Sequence, residues 1–278
     1  PFARKASSYH KCPFYTSSQM GGVVGKLAFP VPPKDWGSHR LLARQDLIWL
    51  TTEDNIKIAA VHIKRNASRT LLYSHGNAED LGQILPYIDR MSEACQADIL
   101  AYDYCGYGIS EGEPSESNCY ASINAAYEYL HQKVNPSSIY AFGRSIGSGP
   151  TVDLVSRHPE IAGMALQSPL ESGGRAVFGW MTSMALYRMD IFRNYEKIDK
   201  VQCKVLIIHG TNDQVVPCQN GRNLFQQCKD QAEPLWIEGR GHNDMPDERC
   251  LKKVRDFLDE LEDGARAKTE AMHGGWKP

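Results

Sequence analysis

Short apolar runs alternate with longer stretches of helical period along most of this chain. Such runs are typical of strands that are buried on both faces of a sheet. The pattern predicts buried strands at 70–74, 98–103, 138–142, 163–167, 204–208 and 235–238, preceded by two strands at 46–51 and 55–63 that a polar turn joins. Helical stretches lie between them, and the clearest, at 115–133, begins with Ser115 as its start signal.

The alternation of strands and helices predicts an α/β fold with a mostly parallel, doubly wound sheet and antiparallel strands at its amino-terminal side. Residues 1–39 have no sustained period and predict an extended leader, whereas 40–262 predict one catalytic domain. An amphipathic helix is predicted at 249–261, and the polar residues 263–278 predict a disordered tail.

The pentapeptide Gly143-Arg144-Ser145-Ile146-Gly147 lies between a predicted strand and a helix-like run at 148–157. A G-x-S-x-G pattern at a strand-to-helix turn is typical of a nucleophile elbow, which holds a serine hydroxyl clear of the backbone. Because the turn is tight, side chains at the two glycine positions would clash. The bare pentapeptide also occurs by chance, so its interpretation depends on the residues that follow it.

Two partners for Ser145 follow in the order Ser, Asp, His that an α/β-hydrolase uses. Asp213 comes just after the strand at 204–208, and His242 follows the strand at 235–238. Because the carboxyl ends of parallel strands meet at one edge of the sheet, we expect the three side chains to lie together. Ser145 would attack, His242 would take its proton, and Asp213 would orient the imidazole.

Two other histidines, His75 and His209, are alternative bases, but both come before the acid in the chain. We expect both to be structural.

His75 opens a His-Gly loop after the strand at 70–74, where this fold supplies one of its two oxyanion donors. Gly76 lets the chain turn so that the backbone N–H of Asn77 faces the site, and Ile146 N–H is the second donor. The alternative for this loop is a plain glycine turn.

A long segment rich in methionine and aromatic residues, 169–198, interrupts the regular pattern on the site side of the sheet. It predicts a small cap or the wall of an acyl-binding pocket, with Phe178, Trp180 and Met184 as the acyl-binding candidates. The alternative is a core helix with loops.

The composition and charge of the chain limit which kinds of partner and cofactor we expect. A formal charge of −2 gives no global attraction to nucleic acid, and the apolar runs are too short to span a bilayer. The eight cysteines form no C-x-x-C pair and do not cluster with histidines, so we expect free buried thiols and neither a metal nor a cofactor.

Six stretches together resemble the α/β-hydrolase-domain-containing protein 17 family over about residues 26–260. They are SHGNAEDLG at 74–82, YDYCGYG at 102–108, GRSIG at 143–147, QSPLESG at 167–173, HGTND at 209–213 and PLWIEGRGHND at 234–244. The resemblance implies a serine hydrolase that removes palmitate from cysteines of membrane-associated proteins, with Ser145 as nucleophile, Asp213 as acid and His242 as base. The alternatives are a serine peptidase or a lipid esterase of the same fold, and a scaffold without activity.

The same resemblance implies a cytoplasmic enzyme that is peripherally associated with the membrane. Its partners would be S-acylated membrane-associated proteins and the cytoplasmic membrane leaflet. The leader carries basic residues and Cys12, and a start at Met20 would expose Gly21 to myristoylation. One acyl chain binds membranes only marginally, so we expect the leader to combine a lipid with its basic residues.

Overall fold

An eight-stranded sheet forms the centre of the computed structural model, which describes residues 29, 31, 38–177 and 190–273. The strands are β1 (Leu47–Thr51), β2 (Lys57–Ile63), β3 (Thr70–Ser74), β4 (Asp98–Tyr102), β5 (Ile139–Arg144), β6 (Gly163–Gln167), β7 (Lys204–Gly210) and β8 (Leu235–Ile237). Their order across the sheet is β1-β2-β4-β3-β5-β6-β7-β8. The observed β3 and β6 have the bounds predicted from the apolar runs, and the other strands differ from theirs by a few residues.

The pairing of the strands brings several strand ends to one edge of the sheet. β2 pairs antiparallel with both β1 and β4, whereas all pairs from β4 to β8 are parallel. The carboxyl ends of β3, β5, β6, β7 and β8 therefore lie along one edge, where open α/β sheets place their sites. The predicted fold class, an α/β-hydrolase fold with antiparallel amino-terminal strands, is confirmed.

Helices cover both faces of the sheet. The α-helices whose bounds both lie within the described residues are α1 (Ser38–Leu42), α2 (Leu81–Cys95), α3 (Glu116–His131), α4 (Ser148–Arg157), α5 (Cys218–Gln227) and α6 (Asp247–His273). One apolar cluster contains Ile123 of α3 and Val152 of α4. The other contains Ile88 of α2 and Phe257 of α6. Each cluster packs on its own face of the sheet, which is the double winding that the sequence predicts.

Side-chain caps fix where two helices begin. The Ser115 hydroxyl accepts the Asn118 N–H at 3.1 Å, so the predicted start of α3 is confirmed. At α2, Asp80 accepts the Gln83 N–H at 3.0 Å, and the buried Asp103 accepts the Leu81 N–H at 2.8 Å. These bonds hold the first turn of α2 directly behind the loop that follows β3.

Two regions differ from the prediction. α6 continues to His273, so residues 263–273 are helical and not a disordered tail. This stretch contains three Ala and one each of Glu, Lys and Arg, residues whose helix propensity favours continuing the helix beyond its buried face. Phe29, which the sequence places in the leader, is buried, and its ring lies 6.0 Å from that of Phe192. The rest of the leader, with Cys12 and Gly21, lies outside the described residues.

Candidate active site

The turn after β5 has the geometry of a nucleophile elbow. β5 runs into a single 3-10 turn, Ser145–Gly147, and α4 follows at once. Ser145 has a φ of 53°, a left-handed conformation that non-glycine residues rarely adopt. A Cβ on Gly143 would lie 2.7 Å from the Gly147 carbonyl oxygen, and a Cβ on Gly147 would lie 2.3 Å from that of Ser74. The predicted steric reason for both glycines is therefore confirmed.

The structure brings Ser145, His242 and Asp213 together. His242 Nε2 lies 3.0 Å from Ser145 Oγ, and His242 Nδ1 lies 2.7 Å from Asp213 Oδ2. The carboxylate can only accept, so Nδ1 carries the proton and the neutral ring presents the Nε2 lone pair to the serine. The arrangement places Nε2 of His242 within hydrogen-bond reach of the Ser145 hydroxyl, the geometry that a general base needs.

Asp213 is held as a carboxylate by a dense set of donors. Its Oδ1 accepts the N–H groups of Val215 at 2.9 Å and Val216 at 2.8 Å. Burial alone would raise the pKa of Asp213, but the adjacent His209 ring and hydrogen bonds from His242 and the Val216 N–H hold this pKa well below its ordinary value. An ionised Asp213 keeps His242 oriented and stabilises the ring when it becomes charged.

His209, one of the two alternative bases, lies behind the acid. It is fully buried, its Nε2 donates to the Val216 carbonyl at 2.9 Å, and the same nitrogen lies 3.3 Å from Asp213 Oδ2. Its ring also fills the space beside Gly221, where a Cβ would lie 2.5 Å from Nδ1. These contacts support the loop that carries Asp213 and leave His242 as the imidazole that faces the serine.

His75, the other alternative base, belongs to the loop after β3, and its side chain is buried beneath the backbone of that loop. Its Nδ1 donates to the Gly76 carbonyl at 2.8 Å, its Nε2 lies 3.4 Å from Asp103 Oδ1, and the Tyr104 hydroxyl donates to its carbonyl at 2.8 Å. Burial raises the pKa of Asp103, although the nearby His75 ring and the Leu81 N–H both act to lower it. His75 therefore supports this loop from below.

The loop at 75–77, which we call the oxyanion loop after the donor predicted at Asn77, contacts the elbow directly. A Cβ on Gly147 would lie 2.7 Å from the His75 carbonyl oxygen, so the backbone after Ile146 passes close to the loop. The Tyr107 hydroxyl donates to Asn77 Oδ1 at 2.7 Å and fixes that side chain. The two N–H groups predicted as oxyanion donors, those of Asn77 and Ile146, thus belong to segments in contact.

A cleft of about 230 Å³ opens beside His242. The residues that line it include Tyr87 and also Glu79, Arg144 and Asn243. Three of these form a chain of contacts that the sequence did not predict. Arg144 forms an ion pair with Glu79, and it donates to Asn243 Oδ1 at 2.8 Å. The only signal in the sequence is their position, because Arg144 precedes the serine and Asn243 follows His242.

The acyl-binding candidates Phe178, Trp180 and Met184 lie outside the described residues. Phe192, at the end of the same apolar segment, is fully buried and packs edge-on against Tyr120 at a centroid distance of 5.8 Å. A Cβ on Gly149 would lie 2.2 Å from its ring. Phe192 is therefore a core residue that packs against α4.

The structure also bears on the state of the cysteines, on metal binding and on membrane spanning. The seven cysteines within the described ranges are all free, and most are buried. Among the same residues, no group of three or more His, Cys, Asp or Glu side chains has the arrangement of a metal site. Over the portion of the chain that the structure describes, no helix is both long and apolar enough to cross a bilayer.

Comparison with known proteins identifies the family. A family model described as alpha/beta hydrolase fold matches residues 69–188, and a model described as TAP-like protein matches 191–269. The chain is 41% identical over 230 residues to alpha/beta hydrolase domain-containing protein 17C of Mus musculus, which is 81% of this chain and 71% of that protein. It is 43% identical over 198 residues to protein 17B of Homo sapiens, which is 70% of this chain and 68% of that protein.

Solved structures give the same fold. An esterase of Pyrococcus furiosus aligns with a TM-score of 0.65 at 17% identity, over 83% of this chain and 97% of that one. Est1E of Butyrivibrio proteoclasticus, solved with ferulic acid, aligns with a TM-score of 0.65 at 19% identity, over 78% and 99%. At these identities the structures show the fold alone. The curated relatives show more: this chain belongs to the alpha/beta hydrolase domain-containing protein 17 family and is a hydrolase of the α/β-hydrolase fold.

Proposed function

We propose that this protein is a serine hydrolase that cleaves acyl thioesters and removes palmitate from S-acylated cysteines of membrane-associated proteins. The observation that carries the proposal is the position of His242 between the hydroxyl of Ser145, at 3.0 Å, and the carboxylate of Asp213, at 2.7 Å. Nucleophile, base and orienting acid stand in the hydrogen-bonded order that nucleophilic catalysis requires.

The chemistry follows from the proton positions. When Ser145 Oγ attacks the thioester carbonyl carbon, its proton passes to His242 Nε2 and the carbonyl oxygen becomes an oxyanion. Collapse of this intermediate breaks the C–S bond, and Nε2 returns the proton to the departing cysteine sulfur. A water then gives its proton to the same nitrogen and attacks the acyl-serine. The fatty acid leaves, and Ser145 regains its proton from His242.

The oxyanion is the point at which the backbone contributes. We assign its two donors to the N–H groups of Ile146 and Asn77, because the elbow and the oxyanion loop are in contact through Gly147. Donors fixed in advance at the position of the developing charge stabilise the transition state more than the ground state.

The substrate class rests on family membership and on leaving-group chemistry. A thiolate leaves a tetrahedral intermediate far more readily than a peptide nitrogen, so a thioester makes a smaller demand on His242 as an acid. A buried methylene contributes about 0.8 kcal/mol, so a palmitoyl chain in an apolar groove would be strongly favoured over a butyryl chain. We assign that groove to the segment with Phe178, Trp180 and Met184.

Substrates of this kind place the enzyme at the cytoplasmic membrane leaflet. We assign the attachment to the leader, in which Cys12 and the basic residues would act together, since a single lipid gives only marginal binding. A protein that lacks residues 1–25 should hydrolyse a soluble thioester normally and lose its membrane fraction in cells. A truncated protein that stays on membranes would contradict this assignment.

A panel of substrates tests the proposal. The kcat/KM values for a palmitoyl-cysteinyl peptide, its butyryl analogue, an oxyester and a peptide amide should be measured with wild-type protein and with Ser145→Ala. We expect Ser145-dependent hydrolysis of the palmitoyl thioester, faster than that of the butyryl thioester. Preferred cleavage of the amide would indicate a peptidase, and a preference for the oxyester would indicate a lipid esterase. Either result would overturn the thioesterase proposal.

A further inference from the structure

Arg144 contacts two loops that carry other parts of the site. It ends β5, directly before Ser145, and its side chain is largely shielded, with 17% exposed. Its guanidinium pairs with Glu79, which follows the oxyanion loop, and its Nη2 donates to Asn243 Oδ1 at 2.8 Å. Glu79, Arg144 and Asn243 are called the guanidinium bridge below.

The far ends of the bridge reach the catalytic segments. Glu79 Oε2 accepts the Gly76 N–H at 3.0 Å, so this carboxylate ties the backbone of the oxyanion loop to Arg144. Asn243 directly follows His242 in the chain. One guanidinium therefore connects the elbow, the oxyanion loop and the loop of the base.

The bridge is closely packed and geometrically demanding. A Cβ on Gly76 would lie 3.0 Å from Glu79 Oε2 and 3.1 Å from Arg144 Nη1, so the bridge presses against the loop backbone. The planar fork of arginine can hold two partners in fixed directions, which the single ammonium of lysine cannot. A partly buried ion pair is also screened less by solvent than an exposed one.

We propose that Arg144 is a positioning residue, which holds the oxyanion loop and the His242 loop in register with Ser145. This inference rests on the proposed function, because it requires Ser145, His242 and the oxyanion donors to act together. Loss of register weakens interactions that are made in the transition state, so it should lower kcat and leave KM nearly unchanged. If Arg144 instead bound substrate in the cleft, its loss would raise KM.

The test is steady-state kinetics with a short-chain aryl ester. Arg144→Gln and Glu79→Gln should each lower kcat by about tenfold to a hundredfold, since small displacements of reacting groups have effects of this size. KM should change by less than about twofold, and the double variant should lose far less than the product of the single losses, because both changes break one contact. Arg144→Lys should lie between Arg144→Gln and wild type.

Arg157→Gln is the matched control. It removes the same charge and breaks an ion pair with Asp153, at 2.9 Å, on the surface of α4. We expect its kcat and melting temperature to equal those of wild type. If Arg144→Gln does not fold, Asn243→Ala decides, because it removes an exposed hydrogen bond and should still lower kcat by about threefold.

The outcomes separate two kinds of failure. An unchanged kcat in Arg144→Gln, a raised KM at constant kcat, or multiplicative losses in the double variant would overturn the bridge and leave the proposed function intact. Hydrolysis by Ser145→Ala at the wild-type rate would overturn the proposed function itself.

Discussion

Ser145 combines a strained backbone with a single well-placed imidazole. Its φ of 53° has a cost of about 1–3 kcal/mol, which the surrounding contacts of the elbow must offset. The same conformation directs the hydroxyl toward His242, 3.0 Å away. Asp213 is fixed in turn by two backbone N–H groups and by two histidines. We therefore expect any reactivity of this serine to depend on these neighbours as a unit.

At this scale we predict that two histidines near Asp213 differ sharply. Asp213→Asn and His242→Ala should each lower kcat by several orders of magnitude, because a disrupted triad loses about 10⁴-fold in turnover. His209→Ala should chiefly lower the melting temperature, because His209 supports the acid through the Val216 carbonyl. Kinetics with thermal unfolding distinguish these effects. If folded His209→Ala is as inactive as His242→Ala, then His242 is not the base.

Sequence order was sufficient to place Ser145, Asp213 and His242 at one edge of the sheet, because strand ends in this fold converge there. It did not predict the contacts of Arg144, because these depend on the directions of side chains from the end of β5 and from two separate loops. Phe192 shows a second limit. An apolar residue in an irregular segment has the same appearance in the sequence whether it lines a pocket or packs in the core.

At the scale of elements, the backbone of the elbow is closely packed against neighbouring segments. Gly147 approaches the carbonyl oxygens of Ser74 and His75, so β3, the oxyanion loop and the start of α4 meet at one backbone position. Asp103 and Asp80 hold α2 immediately beyond that loop. The strands and helices thus fix the loop from two sides, and little of this could be predicted from the apolar pattern alone.

Gly147→Ala should therefore damage both stability and activity. The new Cβ would lie 2.3 Å from the Ser74 carbonyl oxygen, and relieving that overlap should lower the free energy of unfolding by about 1–3 kcal/mol. It should also displace the Ile146 N–H and reduce kcat. Gly264→Ala in α6 is the control, because nothing lies within 4 Å of its Cβ position. If both variants behave alike in urea unfolding and kinetics, the close approach at Gly147 is wrong.

At the scale of the whole molecule, the fold buries several titratable groups, and the pKa shift of His62 lies between pH 6.5 and about 4. His62 on β2 is buried, with Nδ1 3.1 Å from the Tyr129 hydroxyl. Burial, reinforced by the positive charge of Lys64, lowers the pKa of His62 from 6.5 to about 4. The unfolded chain therefore takes up a proton between these values that the folded protein resists.

The free energy of unfolding should consequently fall as the pH decreases from 6.5 to about 4. Above pH 6.5 the ring is neutral in both states and contributes no slope. Asp213, whose pKa is lowered by its donors, reduces stability only at more acidic pH. Urea unfolding across this range should show a shallower slope for His62→Gln than for wild type. Equal slopes would mean that His62 is not the group that titrates.

The alternation of strands and helices was enough to predict the class of the whole fold, but it did not predict how far α6 extends. Its last turns extend past the residues that bury an apolar face, so the pattern that predicts a helix ends before the helix does. Residues 263–267 are exposed, so helix propensity and not an apolar face continues the helix there.

The most direct measurement is labelling by a fluorophosphonate probe, followed by peptide mapping of the labelled residue. Only a serine activated by its base attacks phosphorus at a useful rate, so we expect wild-type protein to carry the label on Ser145. Ser145→Ala should remain folded and unlabelled, and Ser156→Ala, a serine of α4 outside the site, should label as wild type does. Label on another residue, or persistent labelling of Ser145→Ala, would contradict the account.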